Sequence, residues 1–282
     1  MSKIFISAID IRPDKIVCLA AQELQIVNQG KILQLIGFGT SKFPTDCTNP
    51  FYLDKNIFLE HLNEAIEKAE NEASVKIKDV YVNIIDSVHS EYVDHLIEIG
   101  NVLVSEEHIK SYFKYKEFKK LYSKKNSPLH SFPISYRINE SKSVSDPINL
   151  KAKNLITRWH NIISSNDEIR RIYNFFDYAD IHIKQIVLSN YASSLAVLNE
   201  KESSLGAISI DIGKTKTFLA FTLDNQLIYF ETIPIGVFNF TKDLSNVLQI
   251  DINEAEKIRK KMDKIDISKE INKKDFEFFQ IY

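Results

Sequence analysis

The chain has 282 residues, a formal net charge of −2, a pI near 6.4 and 44% hydrophobic residues. That length carries a sizeable core and two domains or one large composite one, and the balanced charge excludes a global field that would make nucleic acid the main partner. Glycine is scarce, with 7 residues, which weighs against phosphate-cradling loops because these need the close backbone approach that glycine permits.

From the N-terminus, Lys3–Ile11, Lys15–Ala21, Leu24–Asn28 and Lys31–Phe38 are short apolar runs with turn-like breaks, predicting four strands. A polar loop follows around Pro44–Pro50. Phe58, Leu62, Ala65, Ile66 and Ala69 then recur at helical spacing, with acids and lysines on the other face. Asp79–Ile85 is β-branched and aromatic and predicts a strand. Beyond Asp86 the texture changes. His89–Val104 alternates as a hairpin would, Ser105–Lys125 predicts a helix, and Ser127–Asn139 and Ile148–Ile156 predict strands joined by polar residues 140–147. Ser165 and Glu168 have the spacing of a capping box, and Ile169, Ile172, Tyr173 and Phe176 continue an apolar face. Ile181–Leu188 predicts a strand, Tyr191–Leu198 a small-residue helix, and Ala207–Ile212, Thr217–Leu223 and Gln226–Ile233 three more strands. The last two are joined across Asp224-Asn225, residue types that tolerate the positive φ of a tight turn.

Several residues admit two readings. The segment Lys110–Lys125 carries seven lysines interleaved with Tyr112, Phe113, Tyr115, Phe118 and Tyr122. It reads either as a face for anionic membrane or nucleic acid, or as an amphipathic helix with aromatics inward; the second is the expectation. His89, His95 and His108 cluster in sequence without metal-ligand spacing backed by further ligands. Trp159 is expected to be a packing anchor. Cys18 reads as a small core residue and Cys47 as a loop residue; neither spacing suits a metal or a disulfide framework, and a reducing cytoplasm fits best. The N-terminus lacks a signal-peptide pattern, and no run approaches the ~18 apolar residues of a membrane span.

One pattern occurs twice. Ile9-Asp10-Ile11 leads after a short turn to Lys15, and Ile210-Asp211-Ile212 leads likewise to Lys216; each enters a strand, a turn and another strand. Two related lobes, each with an acid at a strand end, would produce it.

These duplicated hairpins resemble the phosphate hairpins of the actin, sugar-kinase and heat-shock ATPase superfamily, and further segments are similar to the FtsA family within it. They are Ser131–Asn139 with Pro133, Tyr136 and Ile138; Asp146-Pro147 with Leu150; Tyr191–Leu198; Ile233–Gly236 with Asn239, Thr241, Asp243 and Leu244; and Ala255–Ile258. The resemblance implies an α/β, actin-like (ribonuclease H-like) two-lobed fold with mixed five-stranded sheets. Residues 1–83 and 161–200 would form the first lobe, 84–160 an inserted α+β subdomain of the SHS2-like kind, and 201–282 a partial second lobe. It also implies a role at the division septum, on the cytoplasmic face of the inner membrane, with self-association and recruitment of the tubulin-like FtsZ and later division proteins. The family's FtsZ-tail site lies in a second-lobe subdomain that the match does not reach, so direct tail binding is not expected. Nor is a nucleic-acid partner. The apolar tail Asp275–Tyr282 is too short to count as a membrane anchor.

By the same resemblance, ATP with magnesium is the implied cofactor, and its site would comprise Asp10, Lys15, Asp211, Gly213, Lys214, Thr215, Gly236, Glu256 and Lys257, with Asp10 and Asp211 around the metal. Here the loops depart from the family. Arg12 and Pro13 stand where it has glycine and Thr/Ser, and Asp211-Ile-Gly213-Lys214-Thr215-Lys216 keeps one glycine of three. Proline has no N–H to donate, and an ammonium group is a point charge that does not rebuild a loop of backbone donors. The expectation is therefore at most weak ATP binding and a non-catalytic scaffold. Two alternatives stay open: a pilus-assembly scaffold of the PilM kind, and a nucleotide-dependent ATPase of the superfamily.

Overall fold

The structure is a computed structural model, described for residues 4–26, 30–44, 50–84, 88–121, 125–139 and 142–262. Cys47, Tyr122 and the tail Asp275–Tyr282 lie outside the described residues. By compactness the chain divides into one unit of Met1–Ser209 with Ala220–Phe230 and a second of Ile210–Leu219 with Glu231–Tyr282.

The first unit opens with β1 (Ile4–Ile11), β2 (Lys15–Ile26) and β3 (Gly30–Lys42), followed by α1 (Lys55–Ala73) and β4 (Asp79–Ile84). With β9 (His182–Leu188) they form a mixed sheet of order β3-β2-β1-β4-β9, antiparallel from β3 to β1 and parallel from β1 through β9. Three long strands thus replace the four expected short ones. Gln22 and Glu23 do not break β2 because both pair with neighbours on either side, and Lys31 binds Glu23 across the β2–β3 pair at 2.8 Å.

α1 starts at Asp54, whose carboxylate accepts from Asn56 N at 2.8 Å, and it buries the expected Phe58, Leu62, Ala65, Ile66 and Ala69 against the sheet. Gly37 and Gly39 of β3 make that contact possible. A Cβ on Gly39 would fall on the carbonyl oxygen of Ala65, and one on Gly37 on that of Ala69. α4 (Asn166–Tyr178) adds Ile172, Phe175 and Phe176 to the same core, where the Phe58 and Phe175 rings lie 4.3 Å apart. Its N-cap differs from the expected reciprocal box: Ser165 Oγ accepts from Asp167 N at 3.3 Å, and Glu168 is buried. Cys18 is the small core residue expected, and burial pushes its thiol up to about 12.

Residues 88–165 build a second sheet, of order β5-β8-β6-β7, from β5 (Val88–Leu103), β6 (Asn126–Ile138), β7 (Lys142–Val144) and β8 (Lys151–Ser165). The hairpin expected over His89–Val104 is instead one strand. Val88–Glu98 pairs with β8 throughout, the positive-φ residues Gly100 and Asn101 make an irregularity, and pairing resumes at Val102. The lysine- and aromatic-rich helix is also broken, into α2 (Glu106–Lys110), a 3₁₀ turn (Ser111–Lys114) and α3 (Lys116–Leu121), with Tyr115 extended between the last two. The break has a physical cause. Positions 112 and 118 would fall on different faces of one straight helix. Breaking it lets both rings turn inward, Tyr112 stacking on Trp159 at 4.2 Å and Phe118 meeting Tyr112 at 4.9 Å. Trp159 is the packing anchor expected.

α5 (Ser189–Val197) and α6 (Glu200–Leu205) lead to a three-stranded sheet of β10 (Ala207–Ile212), β11 (Thr217–Leu223) and β12 (Gln226–Ile233). Asp224 and Asn225 take the positive φ values of 50° and 60° that the turn needs. Within the first unit, Phe132 and Ile162 of the second sheet share a core with Leu188, Ala220, Leu227 and Phe230. Two histidines fasten it. His160 bonds Leu227 O through Nδ1 at 2.8 Å, and His130 Nε2 accepts from Leu188 N at 3.1 Å. The second unit contains α7 (Val237–Leu248) and α8 (Ile252–Met262).

Two outcomes follow. Gly39→Ala lowers thermal stability by about 1–3 kcal/mol, because α1 must back away from β3; an unchanged melting temperature would contradict that packing. Burial pulls His130 down to about 4, so between pH 6.5 and 4 the unfolded chain takes up a proton that the folded chain refuses. Stability therefore falls as pH drops through that window, by about 2 kcal/mol at pH 5 from this residue. In a pH series of melts, His130→Asn shows a shallower slope than the parent.

Candidate functional site

The first hairpin is a tight turn, closed by Arg12 N donating to Lys15 O at 2.9 Å as β1 ends and β2 begins. Asp10 stands one residue before the end of β1. Both of its carboxylate oxygens are engaged, Oδ2 by Arg12 Nε at 2.5 Å and Oδ1 by Asn83 Nδ2 at 2.5 Å. Asn83, near the end of β4, also accepts from Ile11 N at 2.8 Å through Oδ1 and donates to Ser189 Oγ at 2.7 Å. A single amide thus joins β1, β4 and the first residue of α5. The Arg12 and Asp10 side chains are 55% and 34% exposed, so solvent weakens the ion pair, but the hydrogen bonds fix the carboxylate in place. Lys15 supplies its backbone carbonyl to the turn.

The second hairpin is closed in a similar way, by Gly213 N donating to Lys216 O at 2.8 Å. Asp211 lies in β10 and is exposed. Gly213, Lys214 and Gly236 meet directly. A Cβ on Gly236 would lie 2.6 Å from Gly213 O and from Lys214 O, so glycine is required for the approach, not for a positive φ. The first amides of α7 point at this turn: Val237 N donates to Gly213 O at 2.9 Å and Phe238 N to Lys214 O at 2.8 Å. Gly236 N is taken by Asn239 Oδ1 at 3.0 Å. A helix N-terminus offers unpaired N–H groups and a positive dipole end to anions, and here those groups are held by the protein's own carbonyls.

Of the remaining predicted residues, Thr215 sits in the turn itself. Glu256 lies on α8, where a hydrogen bond from Lys260, four residues on, holds its carboxyl below the usual range, with Lys214 adding to the effect. Lys257 is on the exposed side of α8. Asp10 and Lys15 belong to the first unit; Asp211, Gly213, Lys214, Thr215, Gly236, Glu256 and Lys257 belong to the second. Asn83 and Ser189 were not anticipated, and Asn239 reads in the sequence as part of the family-like run after Gly236 and not as a site residue. The available signals were a lone amide in the β-branched run of β4, a serine directly after β9, and an asparagine three residues into a helix.

Residues 208–278 match the model of the family described as cell division protein FtsA. Over 256 residues the chain is 28% identical to the cell division protein FtsA of Buchnera aphidicola subsp. Schizaphis graminum, a match that covers 89% of this chain and 59% of that one. It is 24% identical over 278 residues to that of Borreliella burgdorferi, covering 92% and 62%. The chain thus spans about three fifths of the length of these curated relatives. Among solved structures, the PilM-PilN type IV pilus biogenesis complex shares the fold at a TM-score of 0.55 and 10% identity, over 92% of this chain and 70% of that one. The chain is thus similar to the cell division protein FtsA over about nine tenths of its length and has an actin-like α/β fold.

Proposed function

We propose that the protein is a non-catalytic, actin-like scaffold of the bacterial division septum, working at the cytoplasmic face of the inner membrane by binding division proteins and further copies of itself. One observation supports this reading most: an acid expected around the metal and the helix amides beside the second turn are already paired within the chain. Asp10 is bound by Arg12 and Asn83, and the first amides of α7 by Gly213 and Lys214. Each charge-assisted bond from an amide to a phosphate is worth about 1.5–3 kcal/mol, so withholding the two α7 amides weakens a ligand by roughly two to four powers of ten. The residues present therefore do not fit the nucleotide that the resemblance implies. The similarity to FtsA proteins supports the septal assignment, and the reading has the chain act through its surfaces.

The reading predicts that a fluorescent fusion gathers at midcell in dividing cells of the native bacterium. It also predicts that millimolar ATP with magnesium leaves the melting temperature of the full chain unchanged. A diffuse signal through the division cycle would remove the septal assignment, and a clear nucleotide-dependent stabilisation the non-catalytic one.

A further inference from the structure

One face of the second sheet is occupied at one end and open at the other. Near His160 it is covered by β12, where Tyr92 Oη also donates to Ile228 O at 3.2 Å. Further along, Asp94, Arg158 and Ser135 lie abreast on β5, β8 and β6. Two residues beyond, Leu96, Ile156, Arg137 and Ser143 lie abreast on β5, β8, β6 and β7. Alternation along each strand puts all of these on the same face. Six of them line a pocket of about 270 Å³: Asp94, Ser135, Arg137, Ser143, Ile156 and Arg158.

The choice of arginine is informative. Of 36 basic residues only six are arginines, and two of those six meet here. A guanidinium supplies a planar fork suited to oxyanions, which a lysine ammonium does not. Like charges set diagonally on neighbouring strands repel. The one lining carboxylate, Asp94, stands 3.8 Å from Arg158, and both side chains are half-exposed, so it offsets little of that repulsion. Ser135 and Ser143 flank Arg137 with hydroxyl donors, and Ile156 gives an apolar floor beside Leu96, which is 49% exposed.

We propose that this pocket docks an acidic segment of a protein partner, with two carboxylates two residues apart along an extended chain reaching Arg158 and Arg137. The spacing favours this occupant. Arg137 and Arg158 stand diagonally on neighbouring strands, about 7–8 Å apart, close to the roughly 6.8 Å repeat between same-side residues of an extended peptide. A single phosphate would have to draw both guanidinium groups to one point. The inference rests on the pocket and goes beyond the scaffold reading.

The test titrates the full chain with the peptide acetyl-Ser-Asp-Thr-Glu-Ser-amide, with its Asn/Gln counterpart and with inorganic pyrophosphate, following the amide and arginine Nε signals by NMR. The acidic peptide is expected to shift signals of Arg137, Arg158 and Ser143. Arg137→Ala and Arg158→Ala should each weaken it about tenfold while leaving the melting temperature in place, since both side chains are exposed. Arg137→Glu with Arg158→Glu should abolish acidic-peptide binding and gain binding of the Lys-x-Lys version. Equal binding of the Asn/Gln peptide, binding of pyrophosphate alone, or no loss in the arginine variants would each overturn the proposal.

Discussion

The side chain of Asn83 is the point on which the first unit turns. Its oxygen takes the last strand amide of β1, at Ile11, and its nitrogen holds Asp10 and Ser189. A parallel strand pair such as β1–β4 has no hairpin to fix its ends, so something must set where the strands stop relative to each other. A partly buried amide that donates and accepts at once does this, and leaving any of its partners unpaired would cost about 1–3 kcal/mol. Asp10 is drawn into that fastening and Arg12 closes it from the solvent side. The acid at the end of β1 thereby has a structural use that needs no ligand.

The second unit repeats the logic with backbone alone. Gly236 brings the start of α7 against the turn at Gly213 and Lys214, and the helix amides that would otherwise face an anion are satisfied by two carbonyls. One surviving glycine of the turn and the one before α7 are thus explained by close packing. Arg12 at the first turn and the Gly213–Gly236 approach at the second thus both serve contacts made within the chain.

Much of this was legible in advance where a local rule and the tertiary fold agree. The five apolar residues of α1 sit at helical spacing and are all buried, and Asp224-Asn225 closes its turn with the backbone those residue types favour. The reading failed where pairing overrode a local signal. Gln22 and Glu23 look like a break but are held in β2 by neighbours on both sides, and β5 runs past Gly100 because β8 gives it a partner on each side of the irregularity. The helix through Ser105–Lys125 breaks because two aromatic rings six residues apart both seek the same core. At the candidate site, residue types located the hairpins but not their partners. Asn83 lies 73 residues from Asp10 and Ser189 another 106 beyond, and no spacing rule connects them.

The claim that Asp10 is a fastener and not a ligand-holding acid is tested most directly by thermal melts of the full chain and of Asp10→Ala, with and without magnesium and ATP. Removing a structural acid from a filled network costs stability, here about 1–3 kcal/mol, whether or not nucleotide is present. Acids kept for function are commonly neutral or costly to stability, so their removal leaves the fold unchanged or firmer. A lowered melting temperature, equal in both conditions, is the outcome this account predicts. A melting temperature that holds or rises without nucleotide, together with loss of a nucleotide-dependent shift seen in the parent chain, would contradict it.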